Sequence, residues 1–151
     1  MDESIRQKIL ALLDAHRIMT VATLRSDGWP QATTVGYAND ALTLYFLCGL
    51  DSQKAANIAR DDRVSLTIDH DTPDIMRITG LSMAARARLV VDLAEGERIL
   101  RLLPGKYPEQ IAPLPLPMPR ADQVRIFRVE PVVISVLDYS LGFGHTDLVR
   151  C

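Results

Sequence analysis

The chain has too few cysteines to be built on them. Only two occur in 151 residues, Cys48 within an apolar run and Cys151 at the last position, and neither has metal-ligand spacing or the partners of a disulfide framework. Cys48 reads as a small buried hydrophobe and Cys151 as exposed and incidental. The three histidines, His16, His70 and His145, lie far apart in sequence, so a zinc site would require the fold to gather them, and no metal is expected. A strong charge of either sign is missing as well: 17 Lys and Arg against 19 Asp and Glu leave −2, without the basic face that nucleic acid would want. No apolar run approaches the length of a membrane span. The start Met1-Asp2-Glu3-Ser4 places acids where a secretory leader carries basic residues. The expectation is a cytoplasmic protein that engages neither nucleic acid nor membrane. Internal repeats, an acid/base dyad and a nucleophile motif are also absent, and one Trp, four Tyr and three Phe are the only aromatics.

What is present is ordinary globular composition, 48% apolar and 24% charged, in a length that suits one domain, 1–151, able to bury a core. Ile5, Ile9, Leu12 and Leu13 recur at helical spacing behind Asp2 or Ser4 and predict an amphipathic helix over 2–15, packed on the outside of the rest of the domain. From Ile18 the period shortens and β-branched residues rise, so Ile18–Leu24 reads as a strand buried on both faces. The Asp27-Gly28-Trp29-Pro30 turn makes a hairpin with Gln31–Tyr37. Ala38-Asn39-Asp40 then turns into Leu42–Cys48. Further strands are expected at Arg63–Asp69, over Met76–Val91 with a bend at Gly80, and at Val124–Val129 and Val132–Leu137, bent at Glu130-Pro131. Asp92 with Glu95 sets up a capping box for a helix whose apolar face is Leu93, Ile99, Leu100 and Leu103. Between Tyr107 and Pro119 five prolines (108, 113, 115, 117, 119) argue for an extended loop, draped over the fold or a dimer seam, rather than a polyproline ligand. About six strands with peripheral helices point to a mainly β, Greek-key barrel.

The stretch that organises the rest runs from Tyr45 to Asp69. A strand breaks at Gly49, Ser52 stands where a helix begins, and Lys54 comes on the first turn. The first N–H groups of a helix lack partners and carry the positive end of its dipole, so a phosphate there could collect N–H bonds, the Ser52 hydroxyl and the Lys54 ammonium. Equally, Ser52 could be a plain N-cap and Lys54 a solvated side chain.

Ala22-Thr23-Leu24, Asp27-Gly28-Trp29-Pro30, Leu44-Tyr45-Phe46, Ser52-Gln53-Lys54, Asn57-Ile58 and Arg63-Val64, in this order and spacing, resemble the pyridoxamine 5'-phosphate oxidase-like FMN-binding split-barrel family. The resemblance implies a six-stranded antiparallel Greek-key split barrel, a homodimer, and one FMN at each end of the subunit seam. It places the FMN phosphate on Ser52 and Lys54, with Gln53 near the phosphate or ribityl chain. Ala32, Thr33, Thr34 and Val35 would run along the ring, with Gly36 as a point of close approach, and Leu47 and Cys48 would flank the ribityl end. Thr79 matches a ring-binding glutamine supplied by the other subunit. The family's second-strand arginine is replaced by Gln31-Ala32-Thr33, so Arg63 or a partner's arginine would have to complete the phosphate site. Trp29, Tyr139 and Phe143 are candidates for stacking beside the ring, with plain packing as the alternative. Tyr37 or Gly36 stands where pyridoxamine oxidases have a lysine, and the tail reads Leu-Gly-Phe-Gly-His145 instead of Arg-x-His, which directs the resemblance to the general-stress-protein-like branch. The function implied is an FMN oxidoreductase acting between a small donor, such as a reduced nicotinamide, and an acceptor. Alternatives are a flavin-binding module without turnover, or a split barrel that takes a deazaflavin or haem, with His70 and His145 as haem ligands by type.

Overall fold

In the computed structural model, residues 1–108 and 118–151 are described. Most of the expected proline-rich loop, 109–117, lies outside them. The chain forms α1 (Glu3–Ala15), β1 (Ile18–Leu24), β2 (Pro30–Gly36), β3 (Ala38–Asp40), β4 (Thr43–Cys48), α2 (Gln53–Arg60), β5 (Arg63–Asp69), β6 (Thr79–Leu89), α3 (Leu93–Leu102), β7 (Arg125–Asp138) and β8 (Thr146–Arg150), with short 3₁₀ turns between several of them. All strand pairs are antiparallel, and the sheet order is β2-β1-β5-β6-β7-β4-β3. The two ends of that order, β2 and β3, are consecutive in the chain with only Tyr37 between them. Consecutive Cα atoms are about 3.8 Å apart, so the sheet must curl until its edges nearly meet, an arrangement consistent with a split barrel.

Among the described residues eight strands form: two are added to the segments expected, and two of the expected segments fuse into one. Ala38–Asp40 reads as a turn but pairs with Thr43–Tyr45 as β3, and the actual reversal falls at Ala41, whose φ is +50°. The tail after His145 carries too little apolar pattern to announce a strand, yet Thr146–Arg150 pairs with Val133–Leu137. Pro131 does not end a strand: Ala85 faces Pro131 while Ala84 faces Val133, so Val132 is an extra residue. A bulge absorbs the missing proline N–H and β7 runs on for 14 residues. One edge of β7 therefore serves β4 with its first part and β8 with its second. At the other end of the expected Met76–Val91 strand, Ile75–Arg77 is a 3₁₀ turn capped by Asp74 and only Thr79–Leu89 is strand.

The helices obey the pattern of their apolar residues. Asp2 accepts from the Ser4 and Ile5 amides and starts α1. Its Ile9 and Leu13 are fully buried in the same cluster as Met19, Val21, Leu44, Phe46, Leu66, Leu81, Met83, Val129 and Ile134. α1 is thus part of the barrel core rather than an outer layer. The Tyr37 hydroxyl donates to Leu13 O at 2.7 Å and ties the β2–β3 crossing to that helix. α3 covers a second, smaller cluster of Tyr45, Ile99, Leu100 and Ile126. Its Asp92 cap accepts from the Glu95 amide as expected, but the Glu95 carboxylate pairs with Arg128 instead of closing a capping box, and Leu93 is exposed.

β1 alternates. Met19, Val21 and Thr23 are buried, while Thr20, Ala22 and Leu24 are half-buried and Ile18 is exposed. By register the half-buried side of β1 continues through Ala32 and Thr34 of β2, Ser65 and Thr67 of β5, and Ser82 and Ala84 of β6. The centre of that face is made of small residues, and Arg63, Asp69 and Arg86 stand on the same side toward its ends. No helix among the described residues is long and apolar enough to cross a membrane.

Candidate functional site

Ser52 sits at the N-cap of α2 with extended backbone (φ −65°, ψ 135°), and its hydroxyl makes no capping hydrogen bond. Its amide donates to Gly49 O at 3.1 Å, closing the turn out of β4. The plain-cap alternative would have spent that hydroxyl on the helix. Here the first-turn N–H groups of α2 lack a side-chain acceptor at the positive end of the helix dipole. Lys54, half-buried on the same turn, makes no hydrogen bond or ion pair among the described residues. An uncapped helix start, a free hydroxyl and an unpaired ammonium are together suited to an anion.

The orientation of this helix is set by a residue not expected to matter for the site. Asn57 is fully buried and donates from Nδ2 to Thr23 Oγ1 (2.9 Å) and Gln31 Oε1 (3.2 Å), while Gln53 Nε2 donates to its Oδ1 at 2.9 Å. α2 is thereby pinned to β1 and β2 together. Gln53 spends one N–H of its amide on this network, leaving the other and its Oε1 for a ligand. The sequence carried the signal, a polar residue between Ala55 and Ile58 on the core side of a short helix, but not its partners.

Thr33, on the half-buried side of β2, has a buried Oγ1 with no hydrogen-bond partner. A buried hydroxyl without a partner costs roughly 1–3 kcal/mol, so the position suits a polar ligand atom. Ala32 and Thr34 face outward and Val35 is half-buried. β2 is a terminal strand of the sheet order, so its second edge offers unpaired backbone groups to the split. Leu47 and Cys48 are half-buried at the end of β4. Leu47 and Gly36 line one cavity of about 430 Å³ with Leu103, Pro104, Tyr107 and Met118. A Cβ on Gly36 would stand 3.1 Å from the Tyr107 hydroxyl, so glycine keeps this cavity wide.

Arg63, expected to complete the phosphate site, is placed differently. Arg63 is held in a two-point pair with Asp61 (3.0 and 2.7 Å), which depresses the Asp61 carboxyl to about 2; it does not stand free for a phosphate. Arg125 is paired in register with Cys48 and lines, with Arg88, Ala55, Ile58 and Ala59, a groove of about 300 Å³ beside α2. Neither of these arginines makes an ion pair among the described residues. Arg125 and Arg88 are therefore cations that the linear sequence does not point to, and only the β4–β7 register reveals them.

Thr79 begins β6, whereas Ser52 lies toward the opposite end, where Leu89 faces Phe127 and Cys48 faces Arg125. Eleven strand residues at about 3.3 Å each separate those ends, too far for one mononucleotide to touch both within a single chain. Tyr139 and Phe143 pack edge to face (5.5 Å) near Thr79, whose neighbour Ile78 accepts from the Tyr139 amide. Trp29 is 72% exposed in the β1–β2 turn, near the end of the sheet where β5 begins. The three aromatics do not converge within one chain.

The family described as Pyridoxamine 5'-phosphate oxidase matches residues 5–138. General stress protein 26 of Bacillus subtilis (strain 168) is 29% identical over 69 residues, 46% of this chain and 49% of that protein, so the match spans about half of its length. Among solved structures, one named F420 reductase superposes with a TM-score of 0.65 at 26% identity, covering 83% of this chain and 94% of the other. A heme binding protein from Mycobacterium smegmatis superposes at 0.69 with 18% identity, covering 96% of this chain and 56% of that one, a likeness of fold alone.

Proposed function

Since the chain belongs to the pyridoxamine 5'-phosphate oxidase family, we propose that it binds FMN at the start of α2 and along β2, between two copies of itself, and works as a flavin-dependent oxidoreductase. The observation that carries this reading is the unspent Ser52 hydroxyl beside the unpaired Lys54 at an open helix start. These residues suit the group on chemical grounds. Ser52, Lys54 and the first amides of α2 hold a phosphate, and Arg125 adds charge from the neighbouring strand. The Thr33 hydroxyl and the free edge of β2 meet polar ring atoms, and the apolar walls at Leu47 and Leu103 exclude water. Bound FMN would supply acceptance of hydride from a small donor, such as a reduced nicotinamide, and delivery of electrons to an acceptor.

Two features support the homodimer. Thr79 and Ser52 can reach one ligand only from different chains. The open face of β1, β2, β5 and β6 is small-residued at its centre, with Arg63, Asp69 and Arg86 at its margins, and β1 has the composition of a strand covered on both sides. A two-fold pairing through that face would bury it and bring the opposite strand ends of two copies together.

The test is the visible spectrum of the purified protein and of its heat-released ligand. Twin flavin bands with FMN released on denaturation are expected, and Ser52→Ala with Lys54→Ala should weaken FMN by about tenfold or more without loss of folding. A colourless protein that ignores added FMN would return these two residues to an ordinary helix start. A deazaflavin in place of FMN is the second reading, favoured by the likeness to the structure named F420 reductase, and would appear as a single shifted band.

A further inference from the structure

The fold gathers two of the three histidines that the sequence scatters. His16, the residue that ends α1, places its Nε2 3.2 Å from Nδ1 of His70, just past the end of β5 and 54 residues away. The ring centroids are 5.4 Å apart. The other nitrogen of His16, Nδ1, lies 2.7 Å from Leu12 O. A carbonyl only accepts, so His16 Nδ1 carries a proton and its Nε2 accepts from Nδ1–H of His70; a metal would take the place of that proton, which the exposed Nε2 of His70 can carry instead. One imidazole nitrogen donating to a backbone carbonyl fixes the ring so that the other can serve as a ligand, as in metal-bound histidines.

We propose that His16 Nε2 and His70 Nδ1 form a two-imidazole chelate for a divalent transition metal of the zinc, nickel or copper class, with water completing the coordination. Metal–nitrogen bonds of about 2.0–2.1 Å that span this separation subtend roughly 100° at the metal, close to tetrahedral. Imidazole pairs select such metals over magnesium or calcium, which take oxygen ligands. Among the described residues no third histidine, cysteine or acid joins a group of three, so the metal is exchangeable and reached from solvent through the exposed His70. Its effect is mechanical. The C-terminal end of α1 already receives the Lys106 ammonium on Leu13 O (2.6 Å) and His16 O (3.2 Å). The chelate would add a clamp from that helix end to the end of β5. Protons compete for the same two nitrogens, with the Lys106 charge on the helix side and Asp69 and Asp71 flanking His70 in sequence.

The experiment is a thermal melt of the full chain carrying Cys151→Ser, titrated with Ni(II) and Zn(II) at about pH 7.5 and about pH 5.5. A saturable rise in Tm is expected at the higher pH and none at the lower. His70→Ala, an exposed change that spares the core, should weaken the metal response by about tenfold or more, and His145→Ala should leave it intact. A response unchanged in His70→Ala, one lost in His145→Ala, or no saturable response to either metal would overturn the proposal. None of these outcomes depends on flavin binding.

Discussion

Asn57→Ala would strike the joint between the fold and the candidate site. Asn57 is fully buried and makes three side-chain hydrogen bonds, to Thr23 Oγ1, Gln31 Oε1 and Gln53 Nε2. Gln53 is exposed and recovers a bond from water, and Gln31 is half-buried and recovers in part. Thr23 is 2% exposed and recovers nothing. A stranded buried hydroxyl costs about 1–3 kcal/mol and each lost neutral bond about 1 kcal/mol. The expected loss is therefore about 3 kcal/mol, or roughly 6–12 °C in Tm for a chain of this size. Asn57→Asp preserves the volume but removes both donations from Nδ2 and buries a carboxylate, so it should cost at least as much. Urea unfolding of the three proteins, with FMN titration of the folded variants, would read both effects, since freeing α2 from β1 and β2 should also weaken the Ser52 and Lys54 end. A loss below about 1 kcal/mol in Asn57→Ala, or an Asn57→Asp variant as stable as the parent, would refute the view that this network sets the helix.

Three further perturbations separate structural from ligand roles. Gly80→Ala would bring a Cβ to 2.6 Å from Ile68 O and 3.2 Å from Asp69 Cβ; backbone must move, and a loss of about 1–3 kcal/mol is expected in urea midpoints, with an unchanged midpoint as the refuting result. In Gly36→Ala the new methyl meets only the end of the Tyr107 side chain at 3.1 Å, so melting should change little while FMN titration shows weaker binding; the reverse pattern would remove the cavity from the site. For Asp61, held near 2 chiefly by the Arg63 side chain and then by the Arg63 amide, a folded value below the usual 3.8 means stability that is full above pH 3.8 and fades toward pH 2. The Tm gap between the parent and Asp61→Asn should close over that window, and a gap constant with pH would refute the pair.

The parts of the molecule that could be read from the chain are those whose cause is local. Asp2, Ile9 and Leu13 specify α1 by a cap and a 3.6-residue stripe, and the Asp27-Gly28 turn specifies the first hairpin; both stand as read, with Gly28 at φ +85°. What was not legible depends on partners far away in sequence. Pro131 looks like a strand end because proline cannot donate to a ladder. It is a bulge because β6 opposite it continues without a break. Thr146–Arg150 has no pattern of its own and becomes β8 only because β4 leaves half of one edge of β7 unpaired.

The same division runs through the candidate site, and it explains which residues a linear reading misses. Ser52 and Lys54 fall within the first turn of one helix, so their nearness to its N-terminus is legible from the sequence alone. Arg125 and Asn57 act across β4–β7 and across α2, β1 and β2, and their relation to Ser52 exists only in the register. The doubly apolar look of β1 is the informative exception. Its pattern describes an environment that one chain does not supply, since Thr20 and Ala22 remain half-open beside Ala32, Thr34 and Ser65. A strand with that composition and an open face calls for a cover of similar flatness and small side chains, and a second copy of the same face meets both conditions. In the proposed homodimer, the pairing that buries β1 would also carry Thr79 from one chain toward Ser52 of the other, so one contact would answer both the open strand face and the distance between those residues.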